Sequence, residues 1–261
     1  MSSSTVILSR KEHIATVTLN RPEADNAINQ QLARELAEVC LEINQDNSIY
    51  AVIVTGAGNK AFCCGSESEK SIRASKTKKV AKNLGTPYIA ATAIASLDRP
   101  VIAAVNGDAL GQGLELALAC DIRLASDKAR FGLPQVSLGL MPMDGGTQHL
   151  PRIVGRGKAL ELIFTGATIT AREALEIGLV SRVVAQKNLA SEAEALAQNM
   201  ASKAPIALKF IKEAVNKGLD LTLDQGLRLE ADLYFLLHTT ADRTEGIRAF
   251  LEKRNPKFKG K

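Results

Sequence analysis

The chain has 261 residues, 46% of them hydrophobic, with a formal net charge of +5 at pH 7, so it can bury a sizeable core as one large domain or as a domain with an appendage. No run of about 18 apolar residues escapes polar interruption, and the opening MSSST has neither the basic nor the apolar part of a secretory leader, which argues against a membrane span and for a cytoplasmic protein. The positive excess is diffuse, densest at Lys76–Lys82 and Lys253–Lys261 without interleaved aromatic residues, so a solvated surface is favoured over a nucleic-acid platform.

In chain order, Val6–Leu8 and Ile14–Leu19 read as paired strands joined through Lys11–His13, and RPEADNAIN as a polar loop. Leu32, Leu36, Val39, Cys40 and Ile43 recur at helical spacing and predict a helix over 30–44. Ala51–Thr55 is a strand that leads into GAGNKAFCCGSES, a loop long enough to carry a site. The lysine-rich stretch 69–83 is weakly patterned and is expected to act as a lid; Pro87–Leu97 reads as a helix.

Val101–Val105, introduced by Pro100, is a β-branched run suited to a strand buried on both faces. Gly107, Gly111 and Gly113 punctuate the turn after it, which is expected to open directly into a helix carrying Leu114, Leu116, Ala117 and Leu118. The amides of Gly111, Gln112 and Gly113 are then expected to be unpaired at the helix start, where an anion or a developing oxyanion could bind. Glu115, in the first turn, is either a charge complement to the helix or a carboxylate aimed into a pocket.

Asp121–Ala125 is a further strand, and FGLPQVSLGLMPMDGG an irregular loop. Helices over 157–164 and 171–177 precede a last strand over 179–184. From Leu189 the chain reads as helical, with a capping-box pattern at Thr222 and Gln225 and a stripe of Leu229, Leu233, Leu236 and Leu237. Alternating strands and helices argue for an α/β fold with parallel pairings. Residues 1–190 are expected to form the core and 191–261 a helical region that buries its stripe on another surface.

Several chemistries fail on inspection. No G-x-S-x-G elbow occurs, and His13, His149 and His238 are far apart without metalloprotease context. Gly157 and Lys158 lack the preceding glycine of a P-loop, and the G-x-G turn lacks the third glycine of a dinucleotide site. Cys40, Cys63, Cys64 and Cys120 have no metal-finger spacing, so reduced thiols, no metal and no resident cofactor are expected.

Five stretches in register carry a resemblance: LNRPEADNAIN, AFCCGSE, RPVIAAVNGDALGQGLELALACDIRLAS, ARFGLPQVSLGLMPMDGGTQHLPRIVG and FTGATITAREALEIGLVSRVV. Together they cover nearly the whole chain, which resembles the crotonase superfamily, the enoyl-CoA hydratase/isomerase family. The resemblance implies a spiral of β-β-α repeats, a C-terminal helical trimerisation region, a homotrimer or dimer of trimers, and an acyl-CoA thioester substrate, with coenzyme A present only as part of that substrate. It places an oxyanion hole at the amides of Ser66 and Gln112. CoA-contacting positions fall on Arg21, Ala24 and Ala61, with Phe250 and Lys253 supplied by the C-terminal helix, from the same or a neighbouring subunit.

The chain departs from the family pattern at the second catalytic carboxylate. Family hydratases carry two glutamates; Glu115 matches the first, but Gln135 stands at the second, where it can donate and accept hydrogen bonds and cannot shuttle a proton. Three resolutions stay open: Glu115 both takes the proton from water and returns it, Asp144 serves as a second acid, or a lone carboxylate isomerises its substrate. The bland role for Asp144 is to cap the helix that begins near Gly145. Gln112 where relatives often have Gly, Glu67 where they have Asp, and Glu69 near an expected cation put the acyl group in question, and a cyclic or dienoyl thioester is a reasonable substrate. The leading reading is a hydro-lyase; an isomerase or decarboxylase on the same scaffold and, less favoured, an RNA-binding homologue are the alternatives.

Overall fold

A computed structural model describes residues 4–67 and 88–261; the expected lid over 69–83 lies outside the described residues. β1 (Val6–Lys11) and β2 (Ile14–Leu19) form an antiparallel hairpin with Val6 opposite Leu19. α1 (Gln30–Gln45) follows, its first turn capped by the Asn29 side chain accepting from Leu32 N at 2.9 Å, with Leu32, Leu36, Cys40 and Ile43 buried. Asn is a favoured N-cap because its oxygen satisfies an otherwise orphaned amide.

The chain then adds strands in pairs. β3 (Ala51–Gly56) is followed by β4 (Ala61–Cys64), β5 (Val101–Val105) by β6 (Asp108–Leu110), and β7 (Ile122–Ser126) by β8 (Arg130–Gly132). The first member of each pair enters a six-stranded sheet, the second a four-stranded one. With β9 (Thr168–Thr170) and β10 (Arg182–Val184) the orders are β1-β2-β3-β5-β7-β10 and β4-β6-β8-β9. Each pair thus advances both sheets by one strand, which is the expected spiral. The pairings of β2 through β7 within the large sheet are parallel, as are β4 with β6 and β6 with β8. Strands buried on both faces read as continuous apolar runs, and all five residues of β5 are buried.

β4, β6 and β8 lie where the sequence predicts loops. They are three or four residues long, too short for a period-2 pattern to show. As a result β5 does not open directly into a helix; β6 intervenes.

α2 (Ala91–Ala95) is shorter than the helix expected over 87–97, and α3 (Gln112–Leu118) is buried along its whole length. α4 (Gly146–Val154), the helix expected to begin near Gly145, runs on through its internal Pro151 and precedes α5 (Arg156–Thr165) and α6 (Ala171–Glu176). α7 (Leu189–Ala201) sets Leu189, Ala193 and Ala197 against Ile14, Ala51, Ile53 and Ile102 of the large sheet, so the boundary expected at 190/191 falls within a helix that closes the core. α8 (Pro205–Gly218), α9 (Leu223–Leu237) and α10 (Ala241–Leu251) complete the chain, and α9 begins with the expected Thr222–Gln225 capping box. Of its stripe Leu233 is buried, while Leu236 and many apolar neighbours, among them Leu219, Leu223 and Phe235, are exposed. Among the described residues no helix is long and apolar enough to cross a membrane.

Candidate active site

The parallel pairing of β4 and β6 puts Cys64 opposite Leu110. Ser66 stands two residues beyond the first and Gln112 two beyond the second. Neighbouring strands lie about 4.8 Å apart, so the two loops leave the sheet side by side. Ser66 is buried and forms a parallel bridge with Ile28, fastened on either side by Ile28 N donating to Gly65 O (2.9 Å) and Glu67 N to Ile28 O (2.8 Å).

Two glycines let α3 begin this close to β4. A Cβ on Gly113 would sit 1.8 Å from the Cys63 carbonyl oxygen, an overlap no side chain tolerates. Gly111 has φ +55° and ψ −129°, in a region that L side chains rarely adopt. Its amide is not unpaired as expected: it donates to Gly132 O at 2.9 Å, tying β6 to β8. The Leu114 and Glu115 amides turn back to Gly111 O, at 3.0 and 3.1 Å, whereas no acceptor among the described residues takes the Gln112 amide.

One turn into α3, the Glu115 side chain is fully buried and held at both oxygens. Its Oε1 accepts the main-chain amides of Asp144 and Gly146, each at 2.8 Å, and its Oε2 accepts from Gln135 Nε2 at 3.2 Å. Gly146 is there for room: a Cβ would meet Glu115 Oε1 at 3.0 Å and Pro142 Cβ at 2.8 Å. Of the two sequence alternatives for Glu115, this fits a carboxylate set into a polar pocket by donors from the 135–146 segment. Gln135 reaches it from a 3-10 turn over Pro134–Leu138, which the sequence reading took for irregular loop.

Asp144 caps a different helix from the one expected. Its Oδ2 accepts from Ala90 N and Ala91 N, at 2.8 and 2.9 Å, closing the start of α2, while α4 begins without a side-chain cap. The same oxygen lies 3.4 Å from Gln112 Nε2, which also donates to the Tyr88 carbonyl at 2.5 Å. Gln112, Asp144, Glu115 and Gln135 therefore form one continuous buried network. The Tyr88 carbonyl and the Asp144 and Gly146 amides were missed at the sequence level, since main-chain partners from distant segments leave no side-chain signal.

The remaining predicted positions divide. Arg21 donates from Nη1 to Ala27 O (2.6 Å) and pairs with Glu67 Oε1 at 3.3 Å, Ala24 ends a 3-10 turn over Pro22–Ala24, and Ala61 begins β4. Asn26 Nδ2 joins the last two segments by donating to Ala57 O and Ala61 O. Phe250 and Lys253 stand apart at the end of α10, with Phe250 83% exposed and Lys253 N bonded locally to Phe250 O. A cavity of about 880 Å³ between the large sheet and α7, lined by Ile14, Ile53, Ala104 and Leu189, contains none of the predicted residues.

The chain is similar to known proteins over nearly its whole length. A family profile described as enoyl-CoA hydratase/isomerase matches residues 9–261. The short-chain-enoyl-CoA hydratase of Clostridium acetobutylicum is 44% identical over 256 residues, 97% of each chain. The (E)-benzylidenesuccinyl-CoA hydratase of Thauera aromatica is 40% identical over 258 residues, 98% of this chain and 99% of its own. The crystal structure of an enoyl-CoA hydratase from Bacillus anthracis superposes with a TM-score of 0.91 at 40% identity, covering 98% of this chain and all of the other.

Proposed function

The chain belongs to the enoyl-CoA hydratase/isomerase family, the crotonase superfamily, as a hydro-lyase acting on acyl-CoA thioesters, and from that premise we propose that it adds water across the α,β double bond of an unsaturated, cyclic or dienoyl acyl group with Glu115 as its single acid/base. In this reading the Ser66 and Gln112 amides hold the thioester oxygen, stabilising the charge that develops there as an enolate forms; removing one such donor typically costs about 10²–10³ in rate. Glu115 takes a proton from water, the water oxygen bonds to Cβ, and the same carboxyl returns the proton to Cα. Water's two fragments end on adjacent carbons and the carboxylate is regenerated. Gln135 orients the water and Asp144 serves as a cap.

The observation that carries the reading is the burial of Glu115 between three hydrogen-bond donors, one turn from the Gln112 amide. An acyl-CoA panel incubated in oxygen-18 water and read by mass spectrometry tests it: a labelled gain of water supports hydration. An unchanged mass with a moved double bond points to the isomerase alternative, and loss of carbon dioxide to a decarboxylase. Glu115→Gln should lower turnover by about 10²–10⁴ while leaving thioester binding in place.

The apolar surface of α8 to α10 supports assembly into a trimer or dimer of trimers in which Phe250 and Lys253 reach the CoA of a neighbouring subunit, beside Arg21, Ala24 and Ala61. A role for residues 191–261 as the oligomerisation region is part of the same proposal, as is a cytoplasmic location. Sedimentation of the full chain tests the assembly, and a monomer with full activity would exclude it.

A further inference from the structure

Among the described residues, two buried side-chain polar atoms lack a hydrogen-bond partner, and both belong to this site: Gln112 Oε1 and Gln135 Oε1. Each residue is 2% exposed. Neither amide can be turned round to remove the deficit. Gln112 Nε2 faces the Tyr88 carbonyl and the Asp144 carboxylate, and Gln135 Nε2 faces the Glu115 carboxylate, all of them acceptors. The network that orients the two side chains therefore commits each NH₂ and leaves each carbonyl oxygen over.

An unsatisfied buried acceptor costs about 1–3 kcal/mol, so two at the ends of one network call for donors that arrive from outside the protein. The attacking water of the proposed hydration is a suitable donor for Gln135 Oε1, beside the carboxylate that would deprotonate it. Gln112 Oε1 has no such role in the reaction. Its own main-chain amide is the one proposed to grip the thioester oxygen, so its side chain lies at the reacting end of the acyl group.

We propose that the Gln112 side-chain oxygen is a specificity-determining acceptor for a hydroxyl or amino group carried by the acyl chain within a few bonds of the reacting double bond. This rests on the acyl-CoA reading above and narrows its substrate class to acyl groups bearing a hydrogen-bond donor. A pocket built to bond a substrate hydroxyl rejects the analogue lacking it strongly, because the acceptor stays buried and unpaired. A plain alkyl chain gives Gln112 Oε1 nothing.

The test compares near-isosteric thioesters on the purified full-length protein: 4-hydroxybut-2-enoyl-CoA against pent-2-enoyl-CoA for turnover, and the saturated 4-hydroxybutanoyl-CoA against pentanoyl-CoA for binding by calorimetry. The protein should favour the hydroxylated member by about 10²-fold or more in kcat/KM and bind its saturated counterpart more tightly. In Gln112→Leu and Gln112→Gly, which both keep the main-chain amide, the ratio should collapse to within about threefold of one; circular dichroism identifies a variant that has not folded, and the other then decides. Equal treatment of the two members by the unmodified protein, or a preference that survives in the folded variants, overturns the assignment of Gln112 alone. Failure of every thioester, butanoyl-CoA included, to bind overturns the acyl-CoA reading and this inference with it.

Discussion

Gln135 donates from Nε2 to Glu115 Oε2 across 3.2 Å, so the position where the family resemblance implies a second glutamate touches Glu115 and holds a neutral amide. Replacing it with an acid should therefore be informative. Gln135→Glu would set two carboxyls side by side, and one would keep its proton near neutral pH. Hydration of crotonyl-CoA should rise by about tenfold or more, and the pH–rate profile should gain a second limb belonging to the pair. An unchanged profile would show that the second position takes no part in proton movement.

Gly113→Ala should disable the site through the backbone. The added Cβ would sit 1.8 Å from Cys63 O, so α3 must withdraw from β4 and carry the Gln112 amide with it. A stability loss of about 1–3 kcal/mol or more in urea unfolding is expected, with a fall in kcat larger than that loss of folded protein explains. Full activity in a stably folded variant would contradict the close approach.

Asp144 separates capping from catalysis. Asp144→Ala leaves the Ala90 and Ala91 amides without their acceptor and should cost about 1–2 kcal/mol. Asp144→Asn keeps an acceptor oxygen and should retain most of that stability, with kcat within about tenfold of the unmodified protein. An acid/base role would instead cost Asp144→Asn about 10²–10⁴ in rate.

The N-terminal strand should loosen in acid. Burial acts to raise the Glu35 pKa, but hydrogen bonds from Gln31, the Thr5 hydroxyl and amide, and the Val6 amide outweigh it and hold the carboxyl down at about 2, against an ordinary 4.5. Because the folded value is the lower one, the stability this carboxylate contributes is present above about pH 4.5 and lost as pH falls toward 2. Thermal melts between pH 5 and 2 should fall more steeply for the unmodified protein than for Glu35→Gln; parallel curves would remove Glu35 as a cause.

Much of this site was legible in the sequence because its chemistry sits on runs with a strong local signal. The buried apolar run of β5, the glycines of the turn and Glu115 three residues beyond Gln112 mark one half of the proposed pocket. What the sequence hid was short or supplied by main chain. β4, β6 and β8 carry too few residues for a pattern, yet their pairing sets the register that aligns Ser66 with Gln112. Asp144 was read as the cap of its own helix, although its carboxylate crosses to Ala90 and Ala91, more than fifty positions earlier. Local propensity does not register a partner at that separation.

The most direct measurement is a crystal structure of the protein with an unreactive acyl-CoA bound. The account predicts the thioester oxygen about 2.7–3.1 Å from both the Ser66 and Gln112 amide nitrogens, with the Glu115 carboxylate facing the α and β carbons. A thioester oxygen held by other groups, or acyl carbons beyond the reach of Glu115, would contradict it.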